Sequence, residues 1–281
     1  MNIFEQALSH IATRADFLDG DYYKDNLIYC GKCNTPKETL IKLGNCPETI
    51  VRVACKCVKE EEQREKQAER IRQRKESIEE SLRDLIAIGV ARMPRFNFSM
   101  LDGSNKALAE RMQKYAQNFD QVYDRNIGLI LYGNTGTGKT FFAECIADAL
   151  LKKGRFALLT SVSGLANAMS SNFNENRARI LHYIKNVDLL VLDDYGTERD
   201  TAFMNEQIFD VIDARYTSNR PLIVTTNLSP EAMKANNNLN VRRIIERLTE
   251  SCIAFEVKGD SRRIQKSNNK LNDFRKIMGE A

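Results

Sequence analysis

The chain has 281 residues, 42% of them apolar, which suffices for one full-sized hydrophobic core and a smaller module. Its 42 Lys and Arg against 38 Asp and Glu leave a net charge of +4, a mildly basic balance that permits a nucleic-acid partner without demanding one. No window approaches the roughly 18 apolar residues of a membrane span, and the start MNIFEQALSHIATRAD lacks a basic segment followed by an apolar run, so a cytoplasmic protein with no membrane partner is expected.

Residues 1–57 are expected to form a small cysteine-rich domain. Five of the seven cysteines lie between Cys30 and Cys57, while Cys145 and Cys252 stand alone in apolar stretches. In a cytosolic chain that clustering indicates metal rather than disulfides. The pairs Cys30/Cys33 and Cys55/Cys57 can close a tetrahedral tetrathiolate site, the donor set that suits Zn2+. Cys46 is a fifth candidate that could replace one of the second pair, and His10 has no cluster around it. A redox role for the C-x-x-C is disfavoured, because it does not sit in a strand–helix context.

Residues 58–86 contain no Gly or Pro and are dense in strong helix formers, which predicts a charged connector helix. Glu60 with Arg64, Glu62 with Lys66 and Glu79 with Arg83 are spaced for ion pairs on its exposed face. Ile71, Ile78 and Leu85 recur every seven residues, a seam that fits either a solvated connector or a helix with a partner.

From Ala87 to the end the pattern predicts an α/β domain with a polar, basic tail from Lys258. ARMPRFNF, broken by Pro94, is the entry loop. Near-continuous apolar strands are expected at 126–132, 155–160, 187–192, 221–226 and 252–257, separated by helix-length segments. That alternation predicts a five-stranded parallel sheet covered by helices on both faces.

LYGNTGTGKTFF matches G-x-x-x-x-G-K-T, follows an apolar strand and precedes an amphipathic helix, which is the context a phosphate-binding loop requires. Gly133, Asn134, Thr135, Gly136, Thr137 and Gly138 would wrap ATP or ADP phosphates with backbone amides, with Phe141 just inside the helix. Lys139 would reach the β- and γ-phosphates, and Thr140 would place its hydroxyl on Mg2+. The strand VDLLVL then ends in Asp193, a second Mg2+ ligand, and Asp194, which would polarise the attacking water. Asn227, after PLIVTT, could hydrogen-bond the γ-phosphate or that water, although Asn also suits a helix cap.

GNTGTGKT, LLVLDDYGTE, ARYTSNRPLIVTTNLS and RRIIERL followed by GDSRR together resemble the AAA+ ATPases, within them the DnaC/DnaI helicase-loader group and the related IstB transposition ATPases. The resemblance covers about residues 90–265 and implies an AAA+ P-loop domain that self-associates. It implies Arg247 as an arginine acting in trans on a neighbour's γ-phosphate, with Arg243 as the alternative. It implies Arg263 as a cis sensor, with the adjacent Arg262 competing. Many AAA+ members carry Asp-Glu where this chain has Asp193-Asp194, and the shorter second carboxylate fits a slow switch, stimulated by assembly or DNA, better than a motor.

The N-terminal cysteine module resembles the helicase-binding region of DnaI-type loaders. The expected function is therefore an ATPase that binds the replicative hexameric helicase and delivers it to single-stranded DNA. The alternatives are an IstB-like transposition-targeting ATPase that coats DNA and recruits a transposase, and a nucleotide-gated adaptor with negligible turnover. Single-stranded DNA would be met by basic and aromatic side chains. Phe173, Arg177, Arg179, His182 and Tyr183 form one such group and Arg95, Phe96 and Phe98 another, each equally able to belong to a core face.

Overall fold

Four strands rich in Leu, Ile and Val, with a fifth at one edge, build the sheet that organises the larger part of the chain. A computed structural model describes residues 14–42, 44, 47–170, 174–196, 201–235 and 238–278. Two compact units are present, Met1–Gln73 and Arg74–Ala281.

In the first unit, β1 (Tyr22–Lys24) and β2 (Leu27–Tyr29) form an antiparallel hairpin, and β3 (Glu38–Ile41) pairs antiparallel with β4 (Thr49–Arg52). Asp25 and Asn26 turn the hairpin with φ of 48° and 60°, the left-handed pair that a two-residue turn requires and that Asp and Asn tolerate. Helix α1 (Lys56–Ala87) is unbroken for 32 residues, and the division between the units falls inside it. Of the seven-residue seam, Ile71 is exposed, whereas Ile78 and Leu85, joined by Leu82, are buried in the core of the second unit. Ion pairs on its surface join Lys56 to Glu60 and Arg72 to Glu69, and Arg83 donates to the backbone carbonyl of Glu79.

The second unit follows α1 with α2 (Lys106–Gln117), α3 (Phe119–Asp124), β5 (Gly128–Tyr132), α4 (Lys139–Lys152), β6 (Ala157–Ser161), α5 (Val162–Ser170) and α6 (Asn174–Asn186). It continues with β7 (Leu189–Tyr195), α7 (Ala202–Thr217), β8 (Leu222–Thr226), α8 (Pro230–Lys234), α9 (Leu239–Ser251), β9 (Cys252–Glu256) and α10 (Arg262–Met278). The five strands are parallel in the order β6-β7-β8-β5-β9.

Period-two alternation sends consecutive strand residues to opposite faces. Leu129, Leu131, Leu189, Val191 and Ile223 pack with α2, α3 and α4 residues such as Met112, Phe119 and Phe142. Ile130, Leu190, Leu192, Leu222 and Val224 pack with α1 and α5–α9 residues such as Leu85, Ile180, Val211 and Ile244. Strands β5 to β8 are buried on both faces, which is why they read as continuous apolar runs, whereas the edge strand β9 leaves Ile253 exposed.

Arg215, near the end of α7, is the largest fully buried side chain of this unit. Its guanidinium donates to the carbonyls of Ile184 (3.0 Å), Val187 (2.8 Å), Asp188 (2.9 Å) and Pro221 (2.5 and 3.0 Å). Burial pulls its pKa down to about 9. The side chain satisfies the carbonyls that end α6 and lead into β7 and β8, and so holds the two strands in register from their N-terminal side. Arg215→Met is expected to destabilise by about 3 kcal/mol, because several buried carbonyls lose their donors at once. Arg215→Lys should recover less than half of that, since an ammonium lacks the planar fork. Urea unfolding followed by circular dichroism measures both.

Candidate nucleotide site and cysteine cluster

The carboxyl ends of β5, β7 and β8 lie side by side at the edge where ligands of open parallel sheets bind. From β5 the chain enters the glycine loop and emerges as α4, whose first residue is Lys139. Gly133 has φ of 141°, and a Cβ there would stand 2.7 Å from the Val257 carbonyl oxygen. Gly136 has φ of 85°, and a Cβ there would meet Ser261 Oγ at 2.3 Å. Only glycine fits at either position, because the β9–α10 connection presses on the loop, with the Arg262 amide donating to the Gly136 carbonyl at 3.0 Å. Thr137 Oγ1 donates to the Asn134 carbonyl at 3.0 Å, while Asn134 and Thr135 stay exposed. Lys139 is buried, its Nζ 2.9 Å from the Gly133 carbonyl and 2.8 Å from that of Asn134. The ammonium is thus aimed into the loop beside the positive end of α4, the arrangement that fits phosphate.

Strand β7 loses its register against β8 between Leu192 and Tyr195, and Asp193 and Asp194 occupy that irregularity. Asp194 is left-handed, with φ of 59°. A bulge re-aims two consecutive side chains that a regular strand would send to opposite faces. Asp193 is buried and Asp194 exposed. Asp193 Oδ1 accepts from Thr140 Oγ1 at 2.9 Å and from Thr225 Oγ1 at 2.6 Å, while Oδ2 accepts from the Arg92 guanidinium at 2.6 Å. Thr225 Oγ1 in turn accepts the Asp194 amide at 2.9 Å. Thr140 and Asp193, which the sequence assigns to one Mg2+, are therefore in direct contact, and their hard oxygens suit that ion.

Asn227 is exposed just beyond β8, beside an open pocket of about 250 Å³ that Gly133, Asn134, Thr137 and Lys258 also line. The two arginine assignments fare differently. Arg247 is tied down within its own chain, 2.7 Å from Asp213 and stacked on Phe209 at 4.5 Å, whereas Arg243 on α9 is exposed with no ion-pair partner among the described residues. Arg262 lies over the Phe141 ring at 5.2 Å and reaches Asp102 at 3.2 Å, with its guanidinium 3.9 Å from where a Gly138 Cβ would be. Arg262 is thus set against the glycine loop; the Arg263 side chain lies outside the described residues.

In the two groups weighed for DNA contact the aromatic rings pack inward, whereas Arg95, Arg179 and His182 stay at the surface. Arg177 pairs with Asp210, Arg179 pairs with Asp84 at 2.8 Å, and Tyr183 packs edge-on against Phe156 beside the buried Ile180. Phe96 stacks on Phe141, Phe98 joins the same core, and Arg95 pairs with Glu144 at 3.0 Å. Phe173 and His10 lie outside the described residues.

Within the first unit, the sulfurs of Cys30, Cys33, Cys55 and Cys57 lie within 4.8 Å of one another, with Cys55 and Cys57 at 3.2 Å and Cys30 and Cys57 at 3.6 Å. Tetrahedral thiolates at a Zn–S distance of about 2.3 Å stand about 3.8 Å apart, so the four thiols fit that ion. A hydrogen bond with Thr35 draws the Cys33 thiol down to about 5, while hydrogen bonds with Cys55 and Cys30 push Cys57 up to about 12. Four thiols this close resist joint ionisation unless a cation compensates them. Cys46 lies outside the described residues.

Thr225, Arg92 and Glu144 belong to the Asp193 cluster without having been expected there. Glu144 left a trace, as an acid set between Phe142, Ala143, Cys145 and Ile146 in the apolar middle of its helix. Arg92 and Thr225 left none, since an arginine in a loop and a threonine in a strand are ordinary.

The left-handed backbone at Asp194 can be tested apart from its carboxylate. Asp194→Ala is expected to be less stable than Asp194→Gly by about 1 kcal/mol in thermal unfolding, because only glycine adopts that φ without a Cβ penalty.

The chain is similar to several known proteins. Replicative helicase loader DnaC of Escherichia coli K12 is 30% identical over 137 residues, 47% of this chain and 55% of the relative. The chain thus spans just over half the length of the curated relatives it matches. A crystal structure of DnaI is 26% identical with a TM-score of 0.49, over 60% of this chain and 90% of that one. A DNA replication initiation factor, 22% identical with a TM-score of 0.50 over 65% of this chain and 56% of its own, shares the fold. A match across residues 64–270, taking in the glycine loop, the β7 bulge and Arg262 together, makes the chain a member of the IstB-like ATP binding protein family, with an AAA+ fold.

Proposed function

We propose that the chain is an ATP-dependent loader that binds a replicative hexameric DNA helicase and delivers it to single-stranded DNA, with ATP binding and slow hydrolysis controlling release. The observation that carries this reading is the joining, on one chain, of the glycine loop and Asp193 cluster to a separate four-cysteine module. The first suits a nucleotide-dependent switch and the second a small partner-holding scaffold. That the partner is a helicase draws support from the helicase-loader relatives.

In this reading Lys139 exchanges the Gly133 and Asn134 carbonyls for β- and γ-phosphate oxygens. Thr140 and Asp193 hold Mg2+, which when bound neutralises charge on the transferred phosphoryl group. Asp194 polarises water, and Asn227 positions it from the neighbouring strand end. Arg262 acts in cis. Arg243 takes the trans role in preference to Arg247, whose pairing with Asp213 would have to break first. A trans arginine ties turnover to self-association through the ATPase domain. Cys30, Cys33, Cys55 and Cys57 hold Zn2+, which substitutes for the core that so small a unit cannot build.

Lys139→Ala should weaken binding of a fluorescent ATP analogue by about 100-fold or more, the loss of a buried charge-assisted contact to phosphate; unchanged affinity would remove the site assignment. Atomic absorption should find one zinc per chain. Native mass spectrometry of the chain with the replicative helicase of the same genome, with and without ATP, should show a stoichiometric complex that is lost when Cys30 and Cys33 are both changed to Ser. No complex under any nucleotide condition, together with filaments on duplex DNA, would transfer the reading to a transposition-targeting ATPase.

A further inference from the structure

The Asp193 carboxylate carries a positive partner that the proposed function does not use. Arg92 follows α1 by five residues, and its amide donates to the Leu159 carbonyl of β6 at 3.0 Å, which fixes its backbone on the sheet. Its guanidinium bridges two carboxylates, donating to Asp193 Oδ2 at 2.6 Å and, through the other nitrogen, to Glu144 Oε1. Glu144 is wholly buried on α4, one turn beyond Thr140, and also receives the Arg95 amide at 2.6 Å and the Arg95 guanidinium at 3.0 Å. Burial alone would raise its carboxyl, yet the hydrogen bonds from Arg92 and Arg95 outweigh that and hold it below the usual carboxylate range.

Asp193 is therefore shared. Oδ1 faces the hydroxyls of Thr140 and Thr225, and Oδ2 faces a guanidinium that is only 30% exposed. A divalent cation approaching Asp193 meets a fixed like charge a few ångströms away, in surroundings that screen it poorly. The same guanidinium holds the carboxylate in one orientation.

We propose that Arg92 is a positioning residue that holds Asp193 and sets the divalent-cation requirement of the nucleotide site by competing for Oδ2, with Glu144 as the counter-charge that tempers the competition. This rests on the reading of Asp193 as the Mg2+ carboxylate. It predicts opposite signs for two neutralising changes. Removing the positive charge in Arg92→Gln should tighten cation binding, and removing the negative charge in Glu144→Gln should weaken it. Glu144 keeps both Arg95 hydrogen bonds in the first variant, so its burial remains compensated.

The experiment titrates Mn2+ into the full chain saturated with ADP, reads free Mn2+ by electron paramagnetic resonance, and measures ADP affinity separately in EDTA. Arg92→Gln should lower the apparent Mn2+ dissociation constant roughly tenfold. Arg92→Lys should stay within about twofold of the unaltered chain, because the charge is kept, and Glu144→Gln should raise the constant about threefold. ADP affinity in EDTA should stay within about twofold throughout, whereas damage to the fold would move both readouts together. Arg92→Gln and Arg92→Lys behaving alike, or Glu144→Gln leaving the Mn2+ constant unchanged, would overturn the inference while leaving the nucleotide site standing. An unaltered chain that binds no ADP would overturn the site reading itself.

Discussion

The carboxylate of Asp193 at the end of β7 is the constraint on which the site depends. It gathers a hydroxyl from the glycine-loop helix, a hydroxyl from β8 and a guanidinium from the segment after α1, three parts of the chain far apart in sequence. A buried carboxylate is tolerated only when its oxygens are paired, so each partner is held in place by the cost of leaving it. Thr225 adds a second link, because the hydroxyl that donates to Asp193 also accepts the Asp194 amide and so secures the bulge on which both acids stand.

That cluster sits where it does because the sheet is pinned at its opposite end. Arg215 collects the carbonyls of Ile184, Val187, Asp188 and Pro221, and with both sheet faces packed, the strand tips at the carboxyl edge have little freedom. The strain of a left-handed Asp194 and the close approach of Val257 and Ser261 to the glycine loop persist only on such a framework.

The first unit is built on another principle. Its strands are three or four residues long, Tyr23, Leu40 and Ile41 are exposed, and its buried groups include Glu38, which accepts the amides of Ala15 and Ile28. So little apolar burial favours cross-linking by metal, and four converging sulfurs supply the means.

The sequence by itself determined the class of fold, the parallel strands, the glycine loop, the paired acids and the four thiols. Each is a local pattern: strand burial on two faces forces continuous apolar runs, phosphate binding forces glycines at set spacing, and metal binding forces closely spaced cysteines. The tertiary structure alone decided what depends on distant partners. It showed that Arg247 is bound to Asp213 and that Arg262 lies over Phe141 beside the glycine loop. It also placed Tyr183 and Phe96 in packed surroundings and Arg92 with Glu144 beside Asp193. An arginine's role is set by the charge it faces across the fold, and no spacing along the chain encodes that.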